Sequence, residues 1–175
     1  DIAVFGKALG NGFPISAVIG TKSVMENAQN TFISSTMWTE RIGSVAALNT
    51  IKKFQKYKVH EKLIEMGNLM NHGWEKLAAK NNLNIKISGI PPLTNISFVE
   101  SPIESQTYYT QEMLKKGYLL GASVYMSYIY DAQMIEKFIY ESEEVFSNLR
   151  GLIDNGDLMS MINGDLMHTG FQRLT

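Results

Sequence analysis

Hydrophobic and polar positions change period along the chain, and the changes divide it into elements. Ile2, Ala3, Val4 and Phe5 form a continuous apolar run, so residues 1–5 read as a short buried strand. A glycine-dense loop follows, Gly6-Lys7-Ala8-Leu9-Gly10-Asn11-Gly12-Phe13-Pro14, and residues 15–20 read as a second apolar strand. Thr21 or Ser23 is placed to cap a short helix, and Ser23 with Glu26 has the spacing of a capping box. Residues 31–37 are polar and β-branched, which suits a loop or short strand. From Glu40 or Ile42 to about Lys58 the period is helical, with Val45, Leu48, Ile51 and Phe54 three apart as the apolar face.

The second half alternates in the same manner. Leu63, Met66, Met70, Trp74 and Leu77 recur at three- and four-residue spacing and predict a helix over 59–81, stopped by Asn81-Asn82. Residues 84–88 and 93–99 read as strands divided by Gly89 and the Pro91-Pro92 pair. A helix over 104–116 ends at Gly117, in the usual role of a glycine just past a helix. Residues 118–128 are β-like, interrupted by Gly121. Asp131 is placed to cap a long helix to about Leu152, with Met134, Ile135, Phe138, Ile139, Val145, Phe146 and Leu149 inward. The tail over 154–175 is irregular. The first part has the look of the end of a larger α/β sheet domain, and the remainder that of a compact α+β domain. The start at Asp1, without methionine and directly in a strand, leads us to expect further chain upstream.

Composition narrows the function classes. An apolar share of 45% with 19% charged residues suits a soluble globular chain able to bury a core. The net charge of -1 offers no basic surface for nucleic acid or an anionic membrane. Without cysteine there is no disulfide, thiolate metal site or cysteine nucleophile. No apolar run reaches the roughly 18 residues of a membrane helix, and no signal peptide is visible. His60, His72 and His168 lack metal-like spacing, and we expect no metal.

Two stretches carry candidate chemistry. Lys7 directly follows a strand, where α/β folds place ligands, and flanking glycines let backbone approach a ligand closely. An uncharged amine can attack a carbonyl and form a Schiff base. A nucleotide P-loop does not fit, because Lys7 precedes the glycines and Ala8, not Ser or Thr, follows it. By spacing alone a solvated loop lysine is the commoner explanation. The second stretch is Ser34-Ser35-Thr36-Met37-Trp38-Thr39-Glu40-Arg41, hydroxyls just ahead of a helix N-terminus. Such groups can bind phosphate or simply cap the helix.

Residues 1–20, read together, resemble the lysine segment of the class III pyridoxal-phosphate aminotransferases, and within them the branch of glutamate-1-semialdehyde 2,1-aminomutase. That segment runs Asp, apolar residues, Gly-Lys, then a glycine-rich turn ending in proline, as in Asp1-Ile2-Ala3-Val4-Phe5-Gly6-Lys7 through Gly12-Phe13-Pro14. A threonine follows at the family's distance, then an alanine-rich helix around Val45-Ala46-Ala47-Leu48-Asn49-Thr50.

The resemblance implies a fold-type-I pyridoxal-phosphate transferase in the α/β class: residues 1–53 the end of the large α/β domain, residues 54–175 the small C-terminal α+β domain. It implies that Lys7 holds pyridoxal 5'-phosphate as a Schiff base and moves a proton as general base and acid. Thr36 best matches the threonine that binds the cofactor phosphate of the neighbouring subunit in a homodimer, with Thr39 the alternative. The family's Gly-Asn-Pro after this threonine is replaced by Thr39-Glu40-Arg41-Ile42-Gly43. The family's ring-stacking aromatic and its aspartate for the pyridinium nitrogen precede the lysine, and Asp1 is not that aspartate. We therefore expect little turnover from the chain alone. The implied protein is a cytoplasmic enzyme acting on a small amino or carbonyl compound, sugar-like carbonyls included. The competing reading is a non-catalytic folding or dimerisation module. Of three arginines, Arg41 is nearest the candidate site in sequence, as a substrate contact or as a partner for Glu40.

Overall fold

The computed structural model describes residues 1–168 and 170. The chain divides into two compact units, Asp1–Val59 and His60–Thr175.

In the first unit, β1 (Ile2–Phe5) and β2 (Ala17–Gly20) form an antiparallel ribbon with Ile2 opposite Gly20 and Phe5 opposite Ala17. The expected burial of the first strand is not met, since Val4 is 71% exposed. A continuous apolar run signals cover on both faces, and a two-stranded ribbon cannot cover itself. The helix α1 (Lys22–Met25) is one turn long, with Thr21 at its N-terminus. The expected capping box does not form. The Ser23 hydroxyl meets that of Thr21 at 3.4 Å, and Glu26 lies 3.7 Å from Lys22 instead of reaching back to the helix start.

The main helix of this unit, α2, covers Arg41–Lys56. Its apolar stripe is not the buried face: Val45, Leu48, Ile51 and Phe54 are all exposed. Gly43 and Ala47, one turn apart, are the residues it buries. Close approach of backbone to backbone selects small side chains, and here it overrides the period of the large ones.

In the second unit the periodic reading holds well. The long helix α3 (Val59–Lys80) buries Met66, Met70, Trp74 and Leu77. Strands β3 (Ile85–Ile90) and β4 (Leu93–Phe98) form a hairpin about Pro91 and Pro92, with Ile90 opposite Leu93. Helix α4 (Pro102–Lys115) ends at Gly117, whose φ is +90 and whose N–H donates to the Leu114 carbonyl. The β-like stretch over 118–128 condenses to β5 (Ser123–Tyr125), which completes an antiparallel sheet in the order β3-β4-β5. Asp131 caps α5 (Ala132–Asn155) by accepting from the Met134 N–H at 2.8 Å. Met134, expected inward, is exposed, while Ile135, Phe138, Val145, Phe146 and Leu149 are buried.

One apolar core joins α3, α4, α5 and the inner face of the sheet, centred on Trp74, Ile96, Tyr109, Met113 and Phe146. Helix α3 lies directly on the hairpin: a Cβ on Gly67 would overlap the Pro91 carbonyl, and the Thr94 hydroxyl donates to Asn71 at 2.6 Å. The acidic face of α5 meets lysines at the ends of two other helices, Glu144 with Lys116 at 2.6 Å and Glu143 with Lys80. Exposed pairs of this kind add little stability. No helix among the described residues is long and apolar enough to cross a membrane.

Candidate active site

The lysine turn is built by β1 and its glycines. The strand ends at Phe5, Gly6 leads out of it, and Lys7–Leu9 form one 3-10 turn. The turn closes through Leu9 N–H to the Gly6 carbonyl and Gly10 N–H to the Lys7 carbonyl, both at 3.1 Å. Lys7 itself has φ +49 and Asn11 φ +45, conformations that non-glycine residues adopt rarely and at some energetic cost. The Lys7 side chain is exposed, and no ion pair among the described residues engages it.

Helix α2 touches this turn. Its first turn lies on the segment after the lysine loop: a Cβ on Gly43 would stand 2.7 Å from the Pro14 carbonyl oxygen. Gly10, also buried, is pressed against the Phe13 carbonyl and the Ile15 side chain. Lys7 and the head of α2 are thus brought into one neighbourhood, although 34 residues separate Lys7 from Arg41 (41 − 7).

Ser34, Ser35, Thr36 and Thr39 lie in the exposed loop leading into α2. None of these hydroxyls caps the helix. Glu40 does, its carboxylate accepting from the Ile42 N–H at 2.9 Å. Ser35 accepts from the Met37 N–H at 3.2 Å, while the Thr36 hydroxyl has no hydrogen-bond partner among the described residues. Arg41 is exposed and pairs with no acid there, so a salt bridge to Glu40 is not formed. The sequence pattern alone does not reveal the part played by Gly43. The only signal for it is a glycine inside a helix, which costs about 1 kcal/mol against alanine and calls for a packing reason. Among the described residues no group of three His, Asp or Glu side chains is placed to hold a metal.

Taken singly, the two donors suit the two ends of an aldehyde-bearing phosphate ester. A primary amine on an exposed turn can take the aldehyde, and an unengaged hydroxyl can donate to the phosphate. The end of α2 is less suited to an anion, because the Glu40 carboxylate already occupies it.

The model of the family Aminotransferase class-III matches residues 1–151, and the chain belongs to that family. Among similar sequences, a glutamate-1-semialdehyde 2,1-aminomutase of Methanosphaera stadtmanae is 30% identical over 69% of this chain and 30% of its own length. One from Natranaerobius thermophilus is 26% identical over 84% of this chain and 38% of its own. An aminopentol aminotransferase of Sphingopyxis macrogoltabida is 28% identical over 58% and 24%. Among solved structures, the pyridoxal-phosphate internal aldimine form of the Sphingopyxis FumI protein superposes with a TM-score of 0.80 at 22% identity, over 88% of this chain and 38% of that one. The fold is therefore that of the fold-type-I class III transaminases. The chain spans less than two fifths of the length of these relatives.

Proposed function

We propose that a protein carrying this chain is a pyridoxal-phosphate-dependent aminotransferase or aminomutase, with Lys7 as its cofactor lysine. The observation that supports this most is Lys7 itself: an unpaired, exposed amine at φ +49 on the turn after β1, in a chain of the class III family. When bound, the cofactor supplies an electron sink for charge developing beside the substrate nitrogen. Lys7 Nζ would hold the cofactor through its aldehyde carbon, and the amine, once displaced by the substrate's amino group, would accept and return a proton as general base and acid. Thr36, whose hydroxyl has no partner among the described residues, would donate to the phosphate. In keeping with the family resemblance, Thr36 serves the cofactor of the neighbouring subunit in a cytoplasmic homodimer. The substrate is a small amino or carbonyl compound. Turnover belongs to the longer protein, since the relatives extend well beyond the matched region.

The test is reduction with borohydride after addition of pyridoxal phosphate to the full-length protein, followed by peptide mapping. A pyridoxyl group on Lys7, absent from Lys7→Ala, is expected. Labelling only elsewhere, or an unchanged result with Lys7→Ala, overturns the assignment. A second reading, a non-catalytic paralogue, draws on the Thr39-Glu40-Arg41 departure from the family pattern. It predicts labelling of Lys7 without amino-group exchange on a broad panel of donors.

A further inference from the structure

We propose that Gly43 is a positioning residue for Lys7, acting through the seat of α2 on the lysine turn; the proposal rests on the reading of Lys7 as the cofactor lysine. Helix α2 buries only Gly43 and Ala47, and this narrow face is where it meets the rest of its unit. A Cβ at Gly43 would lie 2.7 Å from the Pro14 carbonyl oxygen and 3.2 Å from Ile15 Cβ. The first of these is backbone, so the contact cannot be relieved by a rotamer change. Ile15 also packs on Gly10, where a Cβ would stand 2.8 Å from Ile15 Cγ2 and overlap the Phe13 carbonyl. Ile15 therefore lies against both Gly43 on α2 and Gly10, whose N–H closes the lysine turn on the Lys7 carbonyl. Lys7 sits in that turn at φ +49, a conformation that persists only where surroundings enforce it. The helix seat is such an enforcement. Any side chain at position 43 lifts α2 from Pro14 and lets the turn relax.

The experiment compares wild type, Gly43→Ala, Ile15→Ala and Tyr109→Phe in the full-length protein loaded with pyridoxal phosphate. Three quantities are read: the position of the visible absorption band, the rate of borohydride fixation at Lys7, and the thermal midpoint. Gly43→Ala is expected to shift the band and slow fixation by about tenfold or more, since a displacement of ~1 Å can cost up to 100-fold. Ile15→Ala removes Cγ2, the atom that lies on Gly10, introduces no clash, and is expected to move the same two readouts in the same direction by less. It keeps the proposal testable where Gly43→Ala does not fold. Tyr109→Phe, in the core of the other unit, is expected to lower the midpoint while leaving band and rate unchanged. Wild-type band and rate in a folded Gly43→Ala protein overturn the proposal, as does an unchanged Ile15→Ala if Gly43→Ala does not fold. No label on wild-type Lys7 overturns the underlying reading instead.

Discussion

The indole N–H of Trp74 donates to the hydroxyl of Tyr109 at 3.1 Å, joining α3 to α4 in the interior of the second unit. The Tyr109 hydroxyl continues to Ser142 on α5 at 3.0 Å, and Ser142 donates to the Phe138 carbonyl at 2.9 Å. Each polar group in this chain of bonds has a partner, which is the condition under which buried polar groups do not destabilise.

Burial pushes the Tyr109 hydroxyl up to about 12, against the opposing pull of its bonds with Ser142 and Trp74. Its folded value lies above the ordinary 10.0, so the folded state keeps its proton where the unfolded state has lost it. The stability contribution is complete below pH 10.0 and is lost as pH rises toward 12. The loss is on the order of 2 kcal/mol. Urea titrations at pH 8 and pH 11 are expected to show a steeper alkaline loss for wild type than for Tyr109→Phe. Equal pH slopes in the two proteins would falsify this.

Gly67→Ala is expected to destabilise the protein. Alanine gains about 1 kcal/mol over glycine inside a helix. The added Cβ would overlap the Pro91 carbonyl and lie 2.9 Å from Pro91 Cα, contacts with backbone that only movement of α3 relieves. Overpacking of this sort costs about 1–3 kcal/mol, so the clash wins. A thermal midpoint at or above wild type would show that α3 does not sit this close to the hairpin.

Asp131→Ala removes the bond to the Met134 N–H at the start of α5. The expected loss is about 1 kcal/mol, and Asp131→Asn is expected to recover most of it, because asparagine caps nearly as well. Denaturant unfolding midpoints of the two variants decide the matter; equal losses would mean that carboxylate charge, not the cap bond, is what counts.

Thr36→Val keeps the shape of the side chain and removes its hydroxyl. Loss of a hydrogen bond to a charged group costs about 1.5–3 kcal/mol, which is roughly ten- to a hundredfold in affinity. Affinity for pyridoxal phosphate is expected to fall by that factor, with affinity for pyridoxal, which lacks the phosphate, unchanged. Thr39→Val is expected to do neither. The reverse result would transfer the phosphate contact to Thr39.

Much of this protein is determined locally. The periods of α3 and α5, the Asp131 cap, the Gly117 terminus and the glycine-flanked Lys7 are legible in the sequence, because each depends on residues a few positions apart. Other features were decided only by tertiary structure. Val45, Leu48, Ile51 and Phe54 have the spacing of a buried stripe, yet α2 buries Gly43 and Ala47, because a backbone carbonyl 29 residues earlier (43 − 14) leaves room for nothing larger. The capping box of Ser23 and Glu26 fails because Thr21 stands at the N-terminus of α1 and Ser23 lies inside the helix. Trp74, Tyr109 and Ser142 are 35 and 33 residues apart and become partners only when three helices pack. Local period reports which side chains prefer to be buried; which face is buried depends on where distant backbone comes close enough to exclude a Cβ.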